Sequence, residues 1–196
     1  MMVLGITGGI ASGKSFVSRL IAREWHIPVY DTDASAKRLN NESPLIRRAL
    51  TDIVGDEVYD VNGLLNRQVL ANYLFSSEEH AAKVNAIVHP AVREDFRQWL
   101  TRQTASVVAM ESAILFESGF HSEVDRVLYV DASVEVRVRR AMERDNASEV
   151  KVRQRIALQN AERSAYSVDY VLWNEGKDET ALLASLKPFM ESLFDK

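Results

Sequence analysis

Residues 3–15 read Val-Leu-Gly-Ile-Thr-Gly-Gly-Ile-Ala-Ser-Gly-Lys-Ser, and no other stretch limits the chain's folding options as much. A short strand, Val3 to Ile6, runs straight into a glycine-rich turn, and a helical pattern follows it. The turn fits G-x-x-x-x-G-K-[ST], with Gly8, Gly13, Lys14 and Ser15 at the fixed places. Glycines let the backbone take positive φ and leave no Cβ between chain and ligand. The freed N–H groups form a nest for phosphate oxygens, and the following helix adds its positive dipole end and unpaired amides. The loop therefore reads as a nucleotide-phosphate cradle built from Gly8, Gly9, Ile10, Ala11, Ser12, Gly13, Lys14, Ser15 and Phe16. Lys14 is expected to reach the β- and γ-phosphates, and Ser15 to bind Mg²⁺.

The rest of the chain alternates strand and helix patterns. Apolar positions Phe16, Val17, Leu20, Ile21 and Trp25 share one helix face. Ile27 to Asp31 reads as a second strand, Ser106 to Met110 as a third, Val127 to Val130 as a fourth and Tyr170 to Trp173 as a fifth. Asp178 to Phe194 reads as a last helix, which Pro188 should kink or divide. This order predicts an α/β fold: a five-stranded parallel sheet with flanking helices, a P-loop kinase type of core. Residues 40–104 lack a buried strand pattern. Pro44 opens a helix that Gly55 ends, Asp60 to Gly63 reads as a turn, and Leu64 to Phe75, Ser77 to Val88 and Pro90 to Arg102 read as three amphipathic helices. The expected organisation is a core of 1–39 and 105–196, and a helical acceptor-binding lobe of 40–104. An arginine-rich lid is expected over about 137–155.

Several strand ends carry acids, where open α/β sheets bind ligands. Asp31 and Asp33 follow the second strand; Asp33 alone could simply cap the next helix, but a pair points to chemistry. Glu111 ends the third strand, where such folds place a metal partner. The segment with Arg137, Arg139, Arg140, Arg144, Lys151, Arg153 and Arg155 is the densest basic cluster. Some of these charges pair with Glu135, Glu143 and Glu149 along helix faces. Guanidinium groups also neutralise a phosphoryl group in transfer, and Arg140 and Arg144, one turn apart, are the candidates. His89, before Pro90, is a structural histidine or an acceptor contact.

Composition narrows the partners. The 196 residues are 46% hydrophobic and 27% charged, with a net charge of −4. That suits a globular protein large enough for a sizeable core and argues against nucleic acid as partner. With no cysteine, disulfides, thiolate zinc sites and cysteine nucleophiles are excluded. No apolar stretch approaches the ~20 residues of a membrane span, and no signal peptide is read, so a cytoplasmic protein without a membrane partner is expected.

Taken together, the motifs resemble the dephospho-coenzyme A kinases over nearly the whole chain, in order. The carriers are Gly5 to Ser15, Asp31-Thr32-Asp33, Gly63-Leu64-Leu65-Asn66-Arg67, His89-Pro90 with Arg93, and Ile114-Leu115-Phe116-Glu117. Arg140, Arg144-Asp145, Gln159, and Asp169 with Asn174-Glu175-Gly176 complete the set. The resemblance implies transfer of phosphate from ATP, with Mg²⁺, to the ribose 3′-hydroxyl of dephospho-coenzyme A, the last step of coenzyme A formation, by a monomer or small homo-oligomer. It implies catalytic roles for Lys14, Asp33 and Arg140, nucleotide contacts from the loop and Arg144, and acceptor contacts from Asp31, Asp33, Arg67, His89, Arg93 and Glu117. Ser15 and Glu111 would hold the metal. Departures are Ala11 in place of a usual glycine, which predicts a negative φ there, Thr32, Ala113, Glu111 in place of aspartate, and Arg137 in place of a usual glutamine. Another small-molecule P-loop kinase is the near alternative. A GTP switch is the far one: Asp52 to Gly55 and Asp60 to Gly63 spell D-x-x-G, but no Asn-Lys-x-Asp is present.

Overall fold

The central strand of the sheet is the one that feeds the glycine-rich loop. A computed structural model describes residues 1–163, 166–176 and 178–194. Among them, five strands form one sheet: β1 (Met2–Gly8), β2 (Val29–Asp31), β3 (Val107–Glu111), β4 (Arg126–Asp131) and β5 (Tyr170–Trp173), in the order β2-β3-β1-β4-β5. β1 pairs in parallel with β3, Ile6 opposite Glu111, and with β4, Gly8 opposite Val130. β5 extends the sheet beyond β4, with Trp173 opposite Asp131. Each parallel pair requires a crossover, and helices supply it: α1 (Lys14–Trp25) follows β1, while α6 (Val134–Asp145) and α7 (Glu149–Arg163) lie between β4 and β5. The intervening helices α2 (Thr32–Glu42), α3 (Pro44–Val54), α4 (Arg67–Ser76) and α5 (Glu78–Leu100) follow β2, and α8 (Glu179–Ser192) ends the series.

The chain divides into two compact units, Met1–Tyr30 with Gln103–Lys196, and Asp31–Arg102. In the first, strand residues Leu4, Ile6, Ala109, Leu128 and Val130 are fully buried against Val17, Leu20 and Ile21 of α1 and Leu186 and Met190 of α8. Burying a side chain of this size stabilises the fold by about 1.5–3 kcal/mol. A smaller cluster joins Val138 and Ala141 of α6 to Val152 and Ile156 of α7, and the side chains of Ile10 and Ala11 pack on it.

In the second unit, α5 buries Val84, Val88, Val92 and Phe96, a stripe spaced by four residues. Residues 64–102 therefore form two helices, α4 and α5, rather than three. Pro90 lies inside α5. A proline there forgoes one backbone hydrogen bond, and the apolar stripe keeps its register on both sides, so packing carries the helix through. α8 likewise runs through Pro188 with Leu186 and Met190 buried on either side. Pro44 opens α3 after the Ser43 cap and Gly55 closes it. The turn at residues 60–63 is held by Asp60 Oδ1, which accepts from the amides of Asn62 and Leu64.

Candidate active site

The glycine-rich loop leaves β1 at Gly8 and enters α1 at Lys14. Gly13 caps α1 at φ 94° with no side-chain cap; Phe16 N–H turns back to the Gly13 carbonyl at 3.0 Å, which leaves the amides of Lys14 and Ser15 as the helix's open donors. The second left-handed residue of the loop is Ala11, at φ 56°. The negative φ expected for Ala11 is therefore wrong. The position keeps the conformation a glycine would take, at about 1–2 kcal/mol, because its neighbours hold it there.

Those neighbours grip the loop from outside. Ile10 N–H donates to Gln159 Oε1 at 2.6 Å, and Arg137 Nε donates to the Ile10 carbonyl at 2.9 Å. The Ser12 carbonyl accepts from Asn174 Nδ2 at 2.9 Å and Arg140 Nη1 at 3.2 Å. Arg140 Nη1 also donates to the Asn174 carbonyl at 3.0 Å. Glu175, next in the chain, accepts from the Ser133 amide and hydroxyl at 2.8 and 2.9 Å, fixing the start of α6.

At the loop's end, Lys14 Nζ and Ser15 Oγ both reach Glu111 Oε1, at 2.8 and 2.6 Å. The pair is well shielded, with Lys14 12% and Glu111 8% exposed. Burial pushes the Glu111 carboxyl up, but the hydrogen bonds from Lys14 and Ser15, the Lys14 charge and a bond from Ser18 outweigh it. The net pKa lies below the ordinary carboxylate range. Among the described residues no group of three or more His, Cys, Asp or Glu side chains could hold a metal alone. The Ser15 hydroxyl beside the ionised Glu111 carboxylate, 2.6 Å from its Oε1, fits a hydrated Mg²⁺ whose other ligands come from phosphates.

The basic segment resolves into unlike parts. Arg137 is buried, 2% exposed, and its Nη1 lies 3.4 Å from Asp131, itself 3% exposed. It is a core residue, not a lid residue. The apolar stripe of α6 explains this, since Arg137 shares the buried face with Val138 and Ala141. Burial and the charge of Arg139 draw the Arg140 pKa below its ordinary value, against a smaller opposing effect of Glu175. Arg144 makes a two-pronged pair with Asp145, at 2.7 and 2.8 Å, on the surface. Arg153 pairs with Glu135 and Glu149. Glu117 is exposed and accepts from the Tyr166 hydroxyl at 3.0 Å, and the ring of Tyr166 stacks on Phe116 with centroids 4.2 Å apart.

The remaining candidates belong to the second unit. Asp31, not Asp33, caps α2, accepting from the Ala34 amide at 2.9 Å, while Asp33 is exposed in the first turn. Arg67 opens α4, exposed, behind the Asn66 cap. His89 and Arg93 share a face of α5 one turn apart. Burial first, and then the Arg93 charge, lower the His89 pKa, so the ring stays neutral near pH 7.

Asn174, Arg137 and Gln159 hold the loop, and sequence reasoning gave none of them that role. The available signal was an arginine placed on the apolar stripe of a helix.

Comparison with known proteins identifies the family. The dephospho-CoA kinase family model matches residues 2–179. A dephospho-CoA kinase of Bacteroides fragilis is 44% identical over 98% of this chain and 93% of its own. That of Porphyromonas gingivalis is 47% identical over 94% and 87%. The crystal structure of TT1252 from Thermus thermophilus is 35% identical, covers 99% of this chain and 98% of its own, and superposes with a TM-score of 0.79. With a phosphate loop leaving the central strand, a lysine–carboxylate pair at its end and relatives matched nearly end to end, the chain belongs to the dephospho-CoA kinase family.

Proposed function

We infer that the protein is an ATP-dependent kinase that phosphorylates the ribose 3′-hydroxyl of dephospho-coenzyme A, releasing coenzyme A and ADP, the last step of coenzyme A formation. The observation that carries the chemistry is the Lys14–Ser15–Glu111 cluster at the mouth of the loop, and family membership supplies the acceptor.

In this reading the loop amides and the α1 N-terminus receive the β- and γ-phosphates, and Lys14 turns from Glu111 toward them. Ser15 and, through water, Glu111 or Asp31 would hold Mg²⁺, which when bound screens the phosphate charge. Asp33 takes the proton of the 3′-hydroxyl as that oxygen bonds to the γ-phosphorus. The bond from phosphorus to the β,γ-bridging oxygen breaks, and ADP leaves with its electron pair. Arg140, with Arg144 swinging from Asp145, balances the charge on the moving group. Asp31, Arg67, His89, Arg93 and Glu117 bind the acceptor. The chain acts without nucleic acid or membrane, as a monomer or small homo-oligomer, in the cytoplasm. Among the described residues no helix is long and apolar enough to cross a membrane.

An ADP-release assay over a panel of acceptors tests this. Dephospho-coenzyme A should exceed adenosine, AMP and shikimate in kcat/KM by about a hundredfold or more. Comparable rates on any of the others would overturn the assignment.

A further inference from the structure

We propose that Arg137 and Gln159 are positioning residues for nucleotide binding: together they hold both ends of the Ile10 residue and fix the loop's shape before a phosphate arrives. The inference rests on the kinase reading above and adds to it a part of the protein outside the phosphate cradle.

Two hydrogen bonds hold one residue of the loop, and further contacts hold the side chains that make them. Gln159 Oε1, from α7, accepts from Ile10 N–H at 2.6 Å and from Arg137 Nη2 at 2.9 Å. Arg137 Nε, from α6, donates to the Ile10 carbonyl at 2.9 Å. The same guanidinium faces Asp131, the last residue of β4, at 3.4 Å in a buried pair. Gly9 lets it approach: a Cβ there would stand 2.5 Å from Arg137 Cζ.

The result is a continuous chain from the sheet through Asp131, Arg137 and Gln159 to Ile10. The side chains of Ile10 and Ala11 then press on the α6–α7 cluster. This addresses Ala11. A non-glycine residue at positive φ persists only where the surroundings over-determine it, and the residue before it is fixed at its amide, its carbonyl and its side chain. A loop held in one shape gives up less conformational freedom when ATP binds. Because the Ile10 amide already has a partner in Gln159, its part in the site is to shape the loop rather than to supply a phosphate donor.

The test uses Gln159→Met, close in size but without a strong acceptor, and Gln159→Glu, which keeps the acceptor. Three quantities are read: amide hydrogen exchange of the loop in nucleotide-free protein, ATP affinity by calorimetry without acceptor, and KM for dephospho-coenzyme A. For Gln159→Met, Ile10 exchange should rise about tenfold or more and the ATP Kd about fivefold or more, with acceptor KM within about twofold. Gln159→Glu should keep Ile10 exchange slow. Arg137→Lys, which keeps a charge beside Asp131 but loses the fork, should speed Ile10 exchange as Gln159→Met does. Unchanged exchange and ATP affinity in Gln159→Met would overturn the proposal. So would a parallel rise in ATP Kd and acceptor KM with a lower Tm, which marks general loosening. Exchange and ATP affinity need no acceptor, so both remain readable if the protein phosphorylates a different molecule.

Discussion

The side-chain amide of Asn174 donates to the carbonyl of Ser12 across 2.9 Å. It does so in the space beside Gly13, where a Cβ would stand 2.2 Å from Asn174 Nδ2. The glycine is needed twice over, for its φ of 94° and for this contact. Gly13→Ala should therefore displace Asn174 and strain the backbone, lowering stability by about 2–4 kcal/mol. Urea unfolding measures the loss, and ATP calorimetry should show affinity falling with it. Gly13→Ala with native stability would contradict the packing described.

The Lys14–Glu111 pair predicts a pH dependence. The Glu111 pKa is lowered in the folded chain, whereas an unfolded glutamate titrates near about 4.3. The stability from this shift is complete above the unfolded value and is lost as pH falls through the folded one. Glu111→Gln should lower stability by about 1–3 kcal/mol at pH 7, since the Lys14 ammonium loses its ionised partner. The gap between wild type and variant should close as pH falls below about 4. Denaturant midpoints from pH 7 to 3 check both points. The same variant should reduce kcat by roughly tenfold or more.

Asp33→Asn should cut kcat by about a hundredfold or more if its carboxylate takes the hydroxyl proton, with ATP affinity nearly intact. Single-turnover rates and ATP calorimetry separate the two. Unchanged turnover would remove the role.

Arg140 donates to the Ser12 carbonyl of the loop and to the Asn174 carbonyl just after β5, and this sharpens what its removal should do. Arg140→Ala should depress kcat more than ATP affinity, by about a hundredfold against a few-fold. An effect on ATP Kd alone would leave it a loop brace and nothing more.

The strands and the phosphate loop could be read from the sequence because their signals are local: apolar runs of a few residues ending in a fixed glycine spacing. Arg137 could not be placed in the same way. Its surroundings, Ile10, Asp131 and Gln159, come from distant parts of the chain, and within α6 it is one arginine among several. Ala11 misled for the same reason, since the residues that hold its φ lie on α6 and α7. Pro90 misled in the opposite direction. It is a strong local break signal, and the buried stripe from Val84 to Phe96 overrides it. The cap of α2 falls on Asp31 and not Asp33, because either can cap a helix and only the backbone angles decide which one does.

Arg47 gives a prediction for the second unit. Its guanidinium lies 4.2 Å from the Tyr59 ring centroid and donates to the carbonyls of Asn41 and Gly63. The Tyr59 hydroxyl in turn donates to the Asn40 carbonyl at 2.7 Å. Arg47→Ala should destabilise this unit by about 2–3 kcal/mol. Amide exchange should accelerate across residues 58–65, while the sheet amides of β1 and β4 change far less.

The order of the strands bears on how the chain is made. β1 emerges from the ribosome well before its two hydrogen-bonding neighbours, β3 at Val107–Glu111 and β4 at Arg126–Asp131. Its edges have no partners until more than a hundred further residues have been synthesised, and pairings so distant in sequence form slowly. Asp31–Arg102, contiguous and helical, can complete itself on the nascent chain in that interval. The nucleotide cradle is thus translated long before the strands that give it its shape.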